Sequence, residues 1–241
     1  MLLMAVTAET IHPSLWRASQ LARARSRVVD TGFPALSREL PGGGWPLASL
    51  VDVLVQQAGV GELRLLNPAL SSGRPGAIIF VNAPHQPDGL GLHYIGMPLE
   101  RIVLVKAATS ADALWSVEQA LRAGTCSAVI CWASHVKGSS LRRLHLAAQS
   151  AESLFFMVRP LATAQDSSPA VLRVALRPTA EGLTVDIVKR RGPAMAEAVA
   201  VELQPTPVLL STRRTGARRP TTAVTRVHIP EDAAVAATVG P

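Results

Sequence analysis

Residues 53–64 read Val53-Leu54-Val55-Gln56-Gln57-Ala58-Gly59-Val60-Gly61-Glu62-Leu63-Arg64, an apolar run that turns through two glycines and re-enters an apolar stretch. That is the order of a buried strand, a glycine-rich turn and a helix, the unit on which phosphate-binding α/β sheets are built. A working phosphate loop needs G-x-x-x-x-G-K-[ST]: backbone amides wrap the phosphates, Lys neutralises them, and the hydroxyl holds magnesium. Here Glu62 or Gly61 stands where Lys belongs, Leu63 or Glu62 falls at the hydroxyl position, and no glycine opens the loop near Val55 and Gln56. A carboxylate beside triphosphate oxygens repels them. The turn at Gly59, Gly61, Glu62 and Leu63 is therefore expected to be a phosphate loop without its chemistry. Glu62 is expected to cap the helix beginning near Gly61, where the helix dipole favours a carboxylate by roughly 0.3–1 kcal/mol.

Outward from this loop, strand-like runs recur at 50–55, 77–81, 102–105, 128–132 and 153–158. Between them lie helical stretches at 61–70, 89–95, 110–123 and 139–149, the third opened by Ser110-Ala111-Asp112 and stopped by Gly124. Continuous apolar strands alternating with helices are the pattern of a mainly parallel sheet flanked by helices on both faces. From Ala170 the period changes to strict alternation. Val171, Arg173, Ala175 and Arg177 share one face, and a second alternating run at 183–189 follows the Glu181-Gly182 turn. Antiparallel C-terminal strands are expected there, completed by 199–203. Upstream, Leu36 to Leu40 is expected to form one or two helical turns before the irregular Pro41-Gly42-Gly43-Gly44.

The chain has 241 residues, 48% of them hydrophobic and 17% charged, which excludes a wholly disordered protein. No segment approaches the roughly 20 apolar residues of a membrane span, so no membrane partner is expected. The opening MLLMAVTAETIHP lacks a basic leader and is interrupted by Thr7, Glu9 and Thr10; a cytoplasmic protein is expected. Cys126 and Cys131, five apart on one apolar run, fit no zinc knuckle and are expected to be buried thiols. His85 and His93 lie near no Cys or acidic cluster, so histidines are expected in loops or at the surface, with no metal or other cofactor. No G-x-S-x-G occurs, and hydrolysis by a nucleophile has no support. Trp45, Trp115 and Trp132 are expected in the core.

The net charge of +7 is uneven: residues 1–30 carry four Arg against two acids, and residues 204–241 five Arg against two acids. Three regions are expected: an N-terminal arm (1–30), an α/β core (31–203) and a basic, Pro-rich flexible tail (204–241). The arm holds an amphipathic stretch on which Leu15, Trp16, Arg17 and Leu21 would anchor a partner or dock on the chain's own core. Arg213, Arg214, Arg218 and Arg219 of the tail suit phosphates or an acidic protein groove. Lys189, Arg190 and Arg191 form either a solvated strand end or a contact with nucleic acid or a partner.

The block Thr31-Gly32-Phe33-Pro34-Ala35-Leu36, then Leu40-Pro41-Gly42-Gly43-Gly44-Trp45-Pro46-Leu47 and Leu50-Val51-Asp52-Val53 resembles the approach to the phosphate loop of RecA-type recombinases. Downstream, Pro84 falls where that family keeps its catalytic glutamate, and Trp132 where its magnesium-binding Asp would be. Together with HPSLWRASQLARA, GVGELRLL, ADALWSVEQALRAG, LRRLHLAA and VKRRGP, the series over about residues 11–203 resembles ImuA, a RecA-like and SulA-like family of bacterial mutagenesis cassettes. The resemblance implies a degenerate RecA-like core without catalysis, and an accessory role in translesion DNA synthesis during the SOS response. It also implies RecA, ImuB and an error-prone C-family DNA polymerase as partners, at the nucleoid when DNA is damaged. Two other readings stay open. One is a weak or partner-completed ATPase in which Lys189 and Arg190 act in trans; the other is a SulA-like inhibitor of another protein's assembly.

Overall fold

The computed structural model describes residues 27–72, 74–193 and 197–203. Leu15, Trp16, Arg17 and Leu21 of the expected N-terminal helix, and Arg213, Arg214, Arg218 and Arg219 of the tail, lie outside the described residues.

The described chain begins with β1 (Val28–Val29), which pairs antiparallel with β2 (Trp45–Pro46) in a small sheet of its own. Between them α1 (Pro34–Glu39) starts on Pro34, whose fixed φ suits a first helical turn. Gly32 is required where it stands. Its φ is +79°, and a Cβ there would come within 2.3 Å of the Pro68 ring. Next follow β3 (Ser49–Val55), α2 (Glu62–Leu70), β4 (Ala77–Val81), α3 (Gly89–Tyr94) and β5 (Ile102–Val105). The chain continues through α4 (Ser110–Ala123), β6 (Cys126–Trp132), α5 (Gly138–Gln149), β7 (Leu154–Pro160), β8 (Leu172–Pro178), β9 (Gly182–Lys189) and β10 (Val199–Glu202). Helix α4 is closed at both ends by local chemistry: the Thr109 hydroxyl accepts from the Asp112 amide at 3.1 Å, and Gly124 ends it with φ +67°.

Eight strands form one sheet in the order β10-β9-β8-β3-β7-β6-β4-β5. The pairs from β8 across to β5 are parallel, and β9 and β10 add antiparallel pairs at the other side. The expected α/β class, with antiparallel C-terminal strands, stands. Alternate residues of β3 serve two cores. Val51, Val53 and Val55 meet Leu65, Leu66 and Leu70 of α2 together with Leu36 and Trp45, whereas Leu50 joins Leu114 and Leu121 of α4 and Leu144 of α5. Covering both faces is what makes the central strands continuously apolar.

The face of β8 that carries Arg173 is interior: β8 lies between β9 and β3, parallel to β3, and Arg173 is buried. An interior β8 leaves that arginine no route to solvent, so it must find a carboxylate. Trp115 is not in the core: it is 61% exposed on the outer side of α4, whereas Trp45 is fully buried edge-on to Phe156. Cys126 and Cys131 are free buried thiols as expected, and burial pushes the Cys131 thiol up to about 12.

Candidate functional site

Where β3 ends, Gln56 to Gly61 turn the chain into α2, with Gly59 at φ +85° and Gly61 at φ +115°. These left-handed positions point the loop's amides inward. The group they meet is part of the same loop. The Gly59 amide donates to both oxygens of the Glu62 carboxylate, at 2.9 and 3.1 Å, and the Gly61 amide donates to Oε2 at 3.2 Å. From across the sheet, Trp132 Nε1 at the end of β6 donates to Glu62 Oε1 at 3.4 Å. The Glu62 side chain is thus buried at the first residue of α2, neutralised by dipoles alone: two backbone N–H groups, an indole N–H and the helix start. It lies in the first turn of its helix but makes no side-chain cap bond to a helical amide; it fills the space that the preceding loop amides enclose.

The positions singled out in sequence converge here. A cleft of about 240 Å³ opens at the carboxyl ends of β3, β4, β6 and β7, lined by Gln56, Gln57, Asn82, Pro84, Trp132 and Arg159 among others. This is the crevice where open parallel sheets take ligands. Pro84 and Trp132, the two positions singled out by the resemblance, stand on its wall. Trp132 is held edge-on to Phe80 at 5.8 Å between ring centroids, so its indole N–H is aimed by the core beneath. Asn82 adopts φ +50°, and its side-chain carbonyl accepts from the Ala107 amide at 2.7 Å, joining the ends of β4 and β5. The cleft is smaller than the roughly 300–1,000 Å³ of small-molecule sites, and Arg159 is the one cation lining it among the described residues.

Arg159 is itself committed beneath the cleft. The Asp52 carboxylate, wholly buried at the middle of β3, receives Arg159 Nη1 at 3.4 Å and Arg173 Nε at 3.1 Å. Arg173 also donates to the carbonyls of Thr163, Ala164 and Asp166. This triad across β7, β3 and β8 was not anticipated as a unit. The signal was there: an Asp inside LVDVLV, with single arginines in the apolar runs LFFMVRP and LRVALRP, has to find partners.

The basic cluster is elsewhere. Arg173 opposes Lys189 in the register of β8 and β9, so Lys189, Arg190 and Arg191 lie at the end of the sheet opposite the Gly59 to Leu63 turn. Lys189 Nζ donates to the Ser168 carbonyl at 2.9 Å, and Arg190 is paired with Glu39 at 3.3 Å and bonded to the Pro193 carbonyl. Arg191 is exposed and borders a small hollow with His145, Gln149 and Ser49. His145 differs from the expected surface histidines. It is half-buried on α5, and its Nδ1 accepts from the Leu50 amide at 3.3 Å. Burial, and secondarily the nearby Lys189 charge, hold its pKa below the ordinary 6.5. Among the described residues no cluster of His, Cys, Asp and Glu suits a metal, and no helix is long and apolar enough to cross a membrane.

The arrangement is that of a mainly parallel α/β protein with an open cleft at its strand ends and, beside it, a loop whose Gly59 and Gly61 amides are taken by the chain's own Glu62 carboxylate. Comparison with known proteins places part of it more closely. Residues 82–154, from the Asn82 corner through the start of β7, match the family model of the cell division inhibitor SulA. Cell division inhibitor SulA of Edwardsiella piscicida is 29% identical over 82 residues, covering 34% of this chain and 49% of that protein. SulA of Photorhabdus laumondii is 30% identical over 112 residues, covering 46% of this chain and 63% of that protein. Protein RecA of Thermus thermophilus is 27% identical over 129 residues, 53% of this chain and 38% of RecA. The chain thus spans less than two thirds of the length of these relatives. The crystal structure of SulA from Pseudomonas aeruginosa aligns with 24% identity and a TM-score of 0.41, covering 48% of this chain and 99% of that one. Residues 82–154 are thus similar to the SulA family, and the chain is distantly similar to SulA and to RecA.

Proposed function

We propose that this chain is a non-catalytic accessory protein of damage-induced translesion DNA synthesis. It would act by contacts with RecA and with a complex of ImuB and an error-prone C-family polymerase. The observation that supports it best is the Glu62 carboxylate held by the Gly59 and Gly61 amides and the Trp132 indole. Those donors are the ones a phosphate would use, and a buried negative charge already takes them. With no Lys in the loop and Pro84 and Trp132 on the cleft wall, the crevice offers nothing that would position a metal or activate water. What remains is surface recognition, with local concentration as its mechanism. Lys189 and Arg190 are engaged by Ser168 and Glu39, which weighs against their lending charge to a neighbour's nucleotide. Arg191 and the tail arginines are the groups we assign to partner or DNA contact.

Two measurements on the full chain test this reading. ATP titration with magnesium is expected to give neither saturable binding nor hydrolysis; turnover that is lost when Gly59 or Gly61 is replaced would sink it. Purified RecA and ImuB are each expected to be retained by the immobilised chain, and retention of neither would leave the proposal without a basis. The match of residues 82–154 to SulA favours a second reading, an inhibitor that caps another protein's assembly. That reading expects RecA filament growth to stop at equimolar chain and to be unaffected at catalytic amounts.

A further inference from the structure

A second concavity lies at the end of the sheet opposite the Glu62 loop, where the starts of β3 and β8 meet the last turns of α5. It measures about 130 Å³. That is room for about four waters or one side chain, and well short of a free small-molecule site. Its floor is apolar: Pro46 and Leu172 are buried, with Pro41 and Val171 half-buried beside them. Its rim carries donors. Arg191 and Gln149 are exposed, Ser49 is half-buried, and no carboxylate lines the hollow among the described residues. His145 fixes the polarity of that rim. Its Nδ1 accepts from the Leu50 amide, so the neutral ring carries its proton on Nε2. The Gln149 side-chain amide lies 3.3 Å from Nε2 and must turn its oxygen to that proton, which leaves its own N–H groups as donors. The wall is built in advance. Ala48 holds a left-handed φ of +53° with its amide bonded to the Ser153 carbonyl at 3.1 Å, and the Val171 amide donates to the Leu50 carbonyl at 3.2 Å. Little ordering is left to be done when the hollow is filled.

Charge decides what can occupy it. Arg191 has no ion-pair partner among the described residues, and the Lys189 charge is felt at His145. The chain's own ends match this poorly. Residues 1–30 lead in beside Pro46, through the bond from the Leu47 amide to the Arg27 carbonyl at 2.9 Å, but carry four Arg against two acids. Residues 204–241 carry five Arg against two acids. An apolar floor beneath a cationic, donating rim suits an apolar side chain with a carboxylate next to it. We propose that this hollow is a docking point for an acidic peptide segment of a partner protein. One apolar side chain of the segment enters onto Pro46 and Leu172, and the neighbouring carboxylate meets Arg191 and Gln149. A single buried anchor ringed by polar contacts is the arrangement that carries most of the energy at protein interfaces. A nucleic-acid phosphate would use the rim and leave the floor empty. The proposal rests on the reading of the chain as a binding protein without turnover, and it gives Arg191 a carboxylate as its counter-charge.

The test is an NMR titration of the isotope-labelled full chain with the peptide acetyl-Glu-Asp-Leu-Asp-Glu-amide. The Leu50 amide and Arg191 side-chain signals are expected to shift together and to saturate. Arg191→Ala is expected to weaken binding about tenfold, the size of one charge-assisted contact. Replacing the peptide's Leu by Gly should weaken it about tenfold as well, since a buried apolar side chain is lost. Arg142→Ala, an exposed cation of α5 that does not line the hollow, should leave the affinity unchanged. Binding indifferent to Arg191→Ala or to the loss of Leu would overturn the proposal, as attraction between net charges alone would then account for it. So would an oligothymidylate that saturates the same signals more tightly than the peptide, which would make Arg191 a phosphate contact. Signals unmoved by millimolar peptide would overturn it too, the hollow then being held by the chain's own arm or by nothing. The titration contains neither RecA nor ImuB, so its failure removes this site while retention of those proteins by the immobilised chain still decides the accessory role.

Discussion

Two buried carboxylates stand on the same strand–loop–helix unit and are satisfied in opposite ways. Asp52, in the middle of β3, faces two arginine guanidiniums, Arg159 and Arg173, each almost wholly buried. Glu62, at the start of α2, faces only neutral donors, the Gly59 and Gly61 amides and the Trp132 indole. Full charges bind Asp52 strongly and also make it costly to disturb, because removing one member of a buried ionic group strands the others. Dipoles hold Glu62 with less at stake, since amides left unpaired at a half-open loop can take water. Asp52 is therefore the fastener of the sheet. Glu62 takes up the loop amides, and is the one of the two whose loss would leave unpaired donors at the protein surface.

The largest expected effect falls on Asp52. Asp52→Ala leaves Arg173 with backbone carbonyls alone and Arg159 with only the exposed Asp166 at 3.6 Å, and should lower stability by about 3–5 kcal/mol in denaturant unfolding. Replacing all three, with Leu at 159 and 173 and Val at 52, should recover most of that loss, as buried ion clusters exchanged for apolar groups commonly do. A loss under about 1 kcal/mol for Asp52→Ala would be of surface-pair size and would break the contrast with Glu62.

Glu62→Ala should cost less, about 1–3 kcal/mol, the range for leaving hydrogen-bond partners unmatched. It should also do something Asp52→Ala does not. With the carboxylate gone, two loop amides and the Trp132 indole point at an empty space, and inorganic phosphate or sulfate should then raise the melting temperature of Glu62→Ala while leaving the parent unmoved. Equal anion responses in variant and parent would mean that the carboxylate is not what closes the loop.

Much of this was legible in the amino-acid sequence. Ser110–Ala123 was bounded in advance because its stop and start are local: a hydroxyl that caps and a glycine that takes positive φ. Strands β4, β6 and β7 were legible because both their faces are covered, leaving five apolar residues in a row. The departures at 61–63, 84 and 132 were visible as departures, but their contact was not, since Trp132 and Glu62 are brought together by the β3-β7-β6 strand order and not by spacing. The burial of Arg173 was not legible for the same reason. Alternation along one strand cannot say whether a neighbour lies beyond it, and the position of β8 beside β3 is a property of the whole sheet.

His145 allows the smallest perturbation and extends the contrast to a third buried titratable group, one that must be neutral to do its work. Its Nδ1 can accept the Leu50 amide only while that nitrogen carries no proton. Burial, then the Lys189 charge, lower its pKa in the folded chain below the ordinary 6.5. Between the lowered value and 6.5 the unfolded chain binds the extra proton and the folded chain does not, so stability rises with pH across that window. The contribution is complete above 6.5 and is lost as the pH falls through 6.5 toward the lowered value. In urea unfolding, the parent should therefore weaken as the pH falls through that window, and His145→Asn, which keeps an acceptor but cannot titrate, should flatten that part of the profile. Lys189→Ala should bring the folded-state pKa back toward 6.5 and so narrow that window and reduce the loss across it, because a neighbouring cation that disfavours the imidazolium is gone. An inflection that survives His145→Asn unchanged would place the titrating group on another residue and remove His145 from the contrast with Asp52 and Glu62.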